Sequence, residues 1–402
     1  MECSTMTLGY FLRRTITLGS LIAAILILVI GCAKAPQTGQ PGGTAPPVVE
    51  IWHSLPGAEG DALQAQLQTI AKTHPEVIIK LKYVSEMSFV DLAFKAEAGG
   101  EGPEIFIASK DIIRQLYEQG TLAKIAYNDQ EAFPAALSAF KFGDVGYATP
   151  WLTDIPLLYF RTNTASVPAN LNDLFSSKGG TSLATANTAS LSAWWNGSGG
   201  RLVSEGKPIL DDPLNVAFLK QLSTWQGAKS LQIDASVLGT FAGGGIRFMI
   251  AGASEAKFLT QQNIPWACMQ LFELVGGQGQ PLLGTTLGIA NSAIKTNEAM
   301  SPVIQLVEKA LLTPEVEGAM LQAGRLLPAN MGYYKLPENQ KGVFPQANIG
   351  LAKAWALEGN AIEWKLIPLQ DAAWNNVLSG NSTPEEALAG AQEEAIKALT
   401  VK

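Results

Sequence analysis

The residues able to do chemistry in this chain are few and far apart. Its two histidines are His53 and His74, and its three cysteines are Cys3, Cys32 and Cys268. None falls in a spacing that holds zinc or activates a nucleophile: HExxH, GxSxG and paired Cys/His patterns are all missing. His74 precedes Pro75 in a polar turn, where solvent is its expected surrounding. His53 closes an apolar stretch beside Ser54. Gly243-Gly244-Gly245 lacks the Lys-Ser of a phosphate-cradling loop and reads as an ordinary loop. What remains for catalysis is a set of carboxylates, Glu59, Asp61, Asp111 and Asp154. A fold would have to bring two of them together for glycoside hydrolysis. Neither a metal nor an organic cofactor is expected.

The aromatic residues say more. The chain has nine tryptophans, and Trp52, Trp151, Trp194, Trp195, Trp364 and Trp374 flank polar turns. An indole buries a large apolar face at small entropic cost and leaves an edge for hydrogen bonding. Flat rings combined with fixed Asp, Asn and Arg partners suit carbohydrate, which offers apolar C–H faces and a rim of hydroxyls. For each tryptophan singly, burial in a core is the competing expectation. Trp151 is the one assigned to a site, because it sits three residues before Asp154 where the chain reads as crossing between two halves.

Such a site has to be positioned by alternating elements. Val48–Trp52 reads as a strand and Asp61–Ala71 as a helix, with Leu63, Leu67 and Ile70 at helical spacing and His74-Pro75 as its stop. Val77–Val84 alternates as a strand, Phe89–Ala98 is helical, Glu104–Ala108 is a buried strand, and Asp111–Gln119 is a helix ending at Gly120. Strand and helix in strict alternation predict a doubly wound α/β sheet. Its ligand would lie at the carboxyl ends of the strands, at Trp52-His53-Ser54, Val84-Ser85-Glu86 and Ala108–Asp111. Further strands are expected at Leu157–Arg161, Ile246–Ile250 and Pro281–Ile289. Further helices are expected at Pro213–Gln226, Ser301–Leu312, Pro314–Gln322 and Thr383–Leu399, the last with Thr383 as N-cap and Pro384 at its first position.

Composition narrows the class. The chain of 402 residues carries a net charge of −7, and no basic run exceeds two residues, which argues against nucleic acid. Arg13 and Arg14, then an uncharged run to Ile30 with its apolar core at Leu21–Ile30, then Gly31 before Cys32, follow the order of a secretory signal. That core is shorter than the about 20 residues of a membrane span. Residues 33–47 are rich in Pro and Gly, almost without apolar side chains, and form a tether. About 355 residues remain, enough for two domains. Cys268 stands alone among apolar neighbours and is expected to be a buried small hydrophobe without a disulfide.

Val29-Ile30-Gly31-Cys32 resembles a bacterial lipobox, which implies cleavage before Cys32 and a lipid on its thiol. The body resembles the extracellular solute-binding proteins (family 1) of bacterial sugar importers, the group that includes maltose-binding protein. The resemblance is carried by Ile51–Ser54, Gly102–Ile107, Leu116–Ile125, Thr149–Tyr159, Phe248–Gly252, Leu327-Pro328 and Leu378–Leu388, in the family's order and over nearly the whole mature chain. Glu104 stands where the family usually has Asp. The resemblance implies a two-lobed periplasmic-binding-protein-like (type II) α/β fold, two sheets joined by a hinge that closes on a ligand. It implies a signal at 1–31, a tether at 32–47, one lobe at 48–152 plus 288–328, and the other at 153–287 plus 329–402. It further implies a monomer outside the cytoplasm, periplasmic or cell-surface, held to the membrane by lipid, with ABC permease subunits as partners and a sugar such as a maltooligosaccharide as ligand. Asp154 falls on an acidic position that takes sugar hydroxyls, where a charge-assisted hydrogen bond is strong. Asp111 and Asn187 fall on polar ligand positions. Gly252, Ala253 and Ser254 fall where the family often has Gly-Pro-Trp, so that tryptophan platform is missing, and Trp364 is the nearest C-terminal aromatic. Trp52, His53, Ser54, Ser109, Gly284 and Thr285 are further cleft expectations. Trp52-His53-Ser54 followed by Gly57 also resembles a glycerol-phosphate-binding branch, whose ligand would want converging arginines; Arg201, Arg247 and Arg325 are the candidates. A lipid-anchored hydrolase using paired carboxylates is the alternative from another class.

Overall fold

The computed structural model describes residues 45–125, 131–176, 180–357 and 361–400. The signal, Cys32 and most of the tether lie outside these residues. Strands β1 (Val48–His53), β2 (Ile78–Tyr83), β3 (Ile105–Ser109) and β4 (Thr149–Thr153) open the chain. They are followed by β5 (Pro156–Arg161), β6 (Thr181–Leu183), β7 (Leu231–Ile233), β8 (Phe248–Gly252) and β9 (Trp266–Met269), and then by β10 (Thr286–Asn291) and β11 (Leu327–Pro328). They sort into two sheets. The first is six-stranded, in the order β11-β4-β10-β3-β1-β2. The second is five-stranded, in the order β7-β6-β8-β5-β9.

In the first sheet β2, β1 and β3 run parallel, as the βαβ alternation requires, while β10 enters antiparallel between β3 and β4. Helices cover both faces. Gly57–Thr73, Ser301–Leu311 and Pro314–Ala323 bury Leu63, Leu67, Ile304, Val307 and Met320 on one side with Trp151. Glu86–Ala98 and Lys110–Glu118 bury Phe89, Ile113 and Leu116 on the other with Trp52. The helix Glu86–Ala98 starts three residues before the periodicity alone places it.

The second sheet is covered on one face by Thr188–Gly197, Pro213–Gly227 and the two C-terminal helices Glu363–Leu378 and Pro384–Thr400. Trp194, Trp195 and Trp374 are all buried in that core. The Trp194 indole donates to Leu271 O at 2.9 Å and the Trp195 indole to Asn215 Oδ1 at 2.8 Å, so their polar edges are satisfied inside. Three tryptophans that read as flanking polar turns are therefore core residues. Thr383 caps the last helix reciprocally with Glu386, and Pro384 begins it, as expected. The helix Glu363–Leu378 contains Pro368, which hid it from a periodicity reading.

Pro46–Lys402 forms one compact unit despite its two sheets. The reason is a core common to both. Phe133, Leu321, Leu327 and Ala329 from around the first sheet pack with Leu157, Tyr159, Phe241 and Met249 from the second. The chain passes between the sheets at β4–β5, at β9–β10 and after β11, a two-lobed type II binding-protein architecture. Among the described residues no helix is long and apolar enough to cross a membrane. Trp374→Ala is expected to cost about 3–5 kcal/mol of folding stability, because Trp374 is fully buried and joins Trp195 and Phe218 in one aromatic cluster; urea unfolding followed by circular dichroism measures it.

Candidate functional site

Asp154 and Ile155 are the two residues between β4 and β5, where the chain first leaves one sheet for the other. Asp154 Oδ1 accepts the backbone N–H of Ile155 at 2.9 Å and of Ser254 at 3.0 Å. Its Oδ2 accepts the Ser254 hydroxyl at 2.8 Å. The carboxylate is thus tied to the end of β8. Space for it exists only because residue 252 is glycine: a Cβ there would stand 2.0 Å from Asp154 Oδ2. Tyr159 Oη donates to Gly252 O at 2.9 Å and fixes that same turn. Burial pushes the Asp154 carboxyl up to about 6, against the three hydrogen bonds that favour its charged form, with nearby Glu255 adding to the rise.

Two cavities open on either side of this point. One, of about 880 Å³, is bordered by Lys110, Asp111 and Arg114 on the first lobe. Across it stand Asn187, Gly252 and Glu255 of the second, with Trp364 from the helix Glu363–Leu378. The other, of about 610 Å³, is bordered by Ser54, Glu59 and Glu86 on one side and Ser254 and Lys257 on the other, with Arg325 at its rim. Asp154 and Thr285 border both cavities, so the two form one cleft between the lobes.

Each cavity is crossed by contacts from lobe to lobe. Lys257 Nζ donates to Gln322 O and to Gly324 O, the latter at 3.0 Å, and so caps the carboxyl end of helix Pro314–Ala323. Arg325 Nη1 pairs with Glu255 at 3.1 Å. On the larger cavity, Lys110 Nζ donates to Leu283 O at 3.2 Å and stands 5.4 Å from the Trp364 ring centroid, with the Arg114 guanidinium at 5.3 Å. Burial lowers the Lys110 pKa. Glu59 is raised by burial, offset by Arg325 and Lys257.

The structure brings Ser54, Asp111, Asp154, Asn187, Gly252, Ser254, Thr285 and Trp364 to this cleft. Asn187 serves its own helix as well: its Oδ1 accepts Ser190 N at 2.9 Å as the N-cap of Thr188–Gly197. Other expected residues stand elsewhere. Trp151 is fully buried and donates from its indole to Leu311 O at 3.0 Å, on the core side of the sheet. Its partner in sequence, Asp154, lies three positions on, and the period of two in β4 turns residue 151 into the core. Trp52 is buried with its Nε1 bonded to Glu50 Oε1 and Lys82 over its ring. His53 is buried against Tyr83, and burial lowers its pKa. Ser109 precedes the helix Lys110–Glu118 and borders neither cavity. Lys110, Arg114, Glu255 and Lys257 were missed; Lys110 and Arg114 show the helical i, i+4 spacing beside Asp111 that marks them as one face. Cys268 is a free thiol pushed up to about 12 by burial. Among the described residues no cluster of acidic, His and Cys side chains could hold a metal.

This is the fold of a two-lobed solute-binding protein. The chain has a TM-score of 0.76 to a cyclo/maltodextrin-binding protein complexed with maltotetraose, at 16% identity over 90% of this chain and 99% of that one. It has a TM-score of 0.73 to the maltose-binding periplasmic protein of Listeria monocytogenes in complex with maltose, at 15% identity over 89% and 99%. To the GacH receptor of Streptomyces glaucescens, solved unliganded and with acarbose, the TM-score is 0.71 at 19% identity over 88% and 99%. At these identities the likeness is one of fold. No protein-family model matches the chain, and no curated protein matches it in sequence.

Two outcomes follow from the Asp154 geometry. Because its folded pKa lies above the unfolded value, the native state holds its proton more tightly, so its ionisation costs stability as pH rises through about 6. Asp154→Asn keeps the hydrogen-bond pattern, since the amide can donate to Ser254 Oγ, and removes the charge. The difference in melting temperature between pH 5 and pH 8 should therefore shrink in this variant relative to the parent. Gly252→Ala is expected to cost about 1–3 kcal/mol and to weaken ligand binding, because the added Cβ displaces the carboxylate; thermal unfolding and calorimetric titration read the two effects.

Proposed function

We propose that this chain is the substrate-binding lipoprotein of an ABC importer. It captures a sugar, an oligosaccharide such as a maltooligosaccharide, between two closing lobes and hands it to the permease. Cys32 carries the lipid and residues 33–47 let the body stand off from the membrane. The observation that carries this reading is the cleft itself: two cavities meeting at the hinge residue Asp154, walled by both lobes. An indole at Trp364 and an exposed carboxylate at Asp111 offer a ring platform and a hydroxyl acceptor. The similar structures were solved with maltotetraose, maltose and acarbose, which supports a saccharide as the class of ligand.

The glycerol-phosphate alternative wanted converging arginines. Arg325 borders the smaller cavity but is paired with Glu255, Arg201 borders a separate cavity beside Trp195, and Arg247 borders neither part of the cleft. At the helix beginning at Thr188, Thr188 N and Oγ1 both donate to Asp371 Oδ1 and Ser190 N donates to Asn187 Oδ1, so part of that terminus is already occupied. For the hydrolase alternative, Asp154 would have to release or take a proton while accepting three internal hydrogen bonds, which makes it a poor general acid.

Intrinsic tryptophan fluorescence of residues 33–402 with Cys32 removed, titrated with maltose, maltotriose, trehalose, cellobiose and glycerol-3-phosphate, tests the reading. A saturable change with a saccharide is expected, weakened about tenfold or more by Trp364→Ala and by Asp111→Asn. Silence across the panel together with turnover of a glycoside would replace the binder by a hydrolase.

A further inference from the structure

The charged groups around the larger cavity divide into those already committed and those still open. Asp154 accepts three internal donors. Glu255 is bridged by Arg325 through both oxygens, at 3.2 and 3.1 Å. Asp371, behind the cavity wall, is held by Thr188. Of the carboxylates that border this cavity, Asp111 is exposed and is held by no hydrogen bond or close ion pair among the described residues, its charge acting on Lys110 from a distance.

The cations differ. Lys110 makes one hydrogen bond, to the neutral carbonyl of Leu283, and no carboxylate of the described residues lies within ion-pair distance of its ammonium. An ammonium has three donors, so two are left for a ligand. Arg114 gives Nη1 to Glu118 on its outer side at 2.7 Å, while its buried Nε finds no partner. Both cations rise from one face of the helix Lys110–Glu118, and both approach the same indole, Trp364. A buried ammonium whose one favourable charge, Asp111, stands beyond ion-pair distance is held unfavourably in the empty protein and is relieved by a closer anion. Burial lowers the Lys110 pKa, and the neighbouring Asp111 charge offsets this only in part.

We infer that the ligand of this cleft is an acidic saccharide, a uronate-containing sugar whose carboxylate lies between Lys110 and Arg114 while its ring packs on Trp364. This rests on the sugar-binding reading above and adds the charge of the sugar to it. Arg114 and Lys110 together offer a planar donor and a compact point charge to one carboxylate. Asp111, on the same helical turn, is left to accept ring hydroxyls. The rest of the larger cavity, where Leu183, Val237, Leu238 and Ile367 line the wall, offers no competing anion site.

Calorimetric titration of residues 33–402 with matched pairs tests it: glucuronate against glucose, galacturonate against galactose, and digalacturonate against maltose and cellobiose, with glycerol-3-phosphate as the non-sugar anion. The expected result is that an acidic member binds at least about tenfold tighter than its neutral counterpart, and that Lys110→Gln or Arg114→Gln removes most of that preference. The preference should also fall as salt is raised from 50 to about 300 mM. Each variant is first shown to keep the parent's circular dichroism and melting temperature within a few degrees, and the two variants serve as checks on each other. Neutral saccharides binding as tightly as acidic ones would overturn the inference and leave the sugar-binding reading standing. A preference unchanged in both variants would overturn it too. Glycerol-3-phosphate binding without any saccharide, or no saccharide binding at all, would remove both.

Discussion

The architecture turns on residues 153 and 154. Thr153 is the last residue of β4 and is fully buried. It pairs with Thr286 of β10 and with Leu327 of β11, and its hydroxyl shares a hydrogen bond of 2.9 Å with that of Thr286. The β4–β5 and β9–β10 passages therefore meet at this pair, and β11 begins beside it and leaves along β4 past Leu152. Asp154 then ties this point to the second lobe through Ser254 and Ile155, while its own carbonyl accepts Gly284 N at 2.9 Å from the segment leading into β10. In the closure proposed above, one lobe would pivot on the other about these bonds, because the common apolar core beside them would otherwise have to open. The cleft forms on both sides of the same point, which places any bound solute against the pivot.

This arrangement gives Asp154 a different duty from the one its sequence neighbourhood suggests. A carboxylate whose acceptor positions are filled by backbone and hydroxyl donors has little left to offer a ligand. Its stronger contribution is to hold β8 at the crossing, with Gly252 admitting it and Tyr159 closing the turn behind. The charged groups that border the larger cavity on the neighbouring lobe stand along the helix Lys110–Glu118, facing Trp364. In the function proposed above, recognition and hinge fall to separate sets of side chains, with Asp154 and Thr285 bordering both cavities.

The sequence carried the alternation of the first sheet well, since each βα unit there pairs a short apolar strand with a helix of clear periodicity. The carboxyl-end rule pointed to the segments holding Ser54, Glu86 and Asp111, all of which border the cleft. It was less informative about which side chain of a segment faces out. Trp52 and His53 lie beside Ser54 yet turn inward, and Trp151 is separated from Asp154 by an odd number of strand steps that ends at the crossing, where the strand period no longer applies. Aromatic content also misled, because Trp194 and Trp195 find their hydrogen-bond partners in Leu271 and Asn215, residues far along the chain. Lys110 and Arg114 were legible only as a surface face of a helix. Their meaning depends on Trp364, more than 240 residues away.

The contacts that cross the cleft also differ in kind on its two sides, and the difference bears on closure. Beside the smaller cavity they are directional and electrostatic: Lys257 on the carbonyls ending helix Pro314–Ala323, and Arg325 on Glu255. In the proposed closure both contacts, joining one lobe to the other beside the crossing, would act as guides for the hinge. Beside the larger cavity the crossing is made by cations over an aromatic face, at more than 5 Å from the ring centroid. Such contacts are soft in geometry and worth about 0.5–2 kcal/mol. On the proposed reading, a solute that slides between the indole and those cations would exchange a weak contact for a packed one and gain differentially in the closed form, which is the condition for a ligand to drive closure. The stiff contacts thus sit where the rotation needs an axis, and the soft ones where it needs to yield.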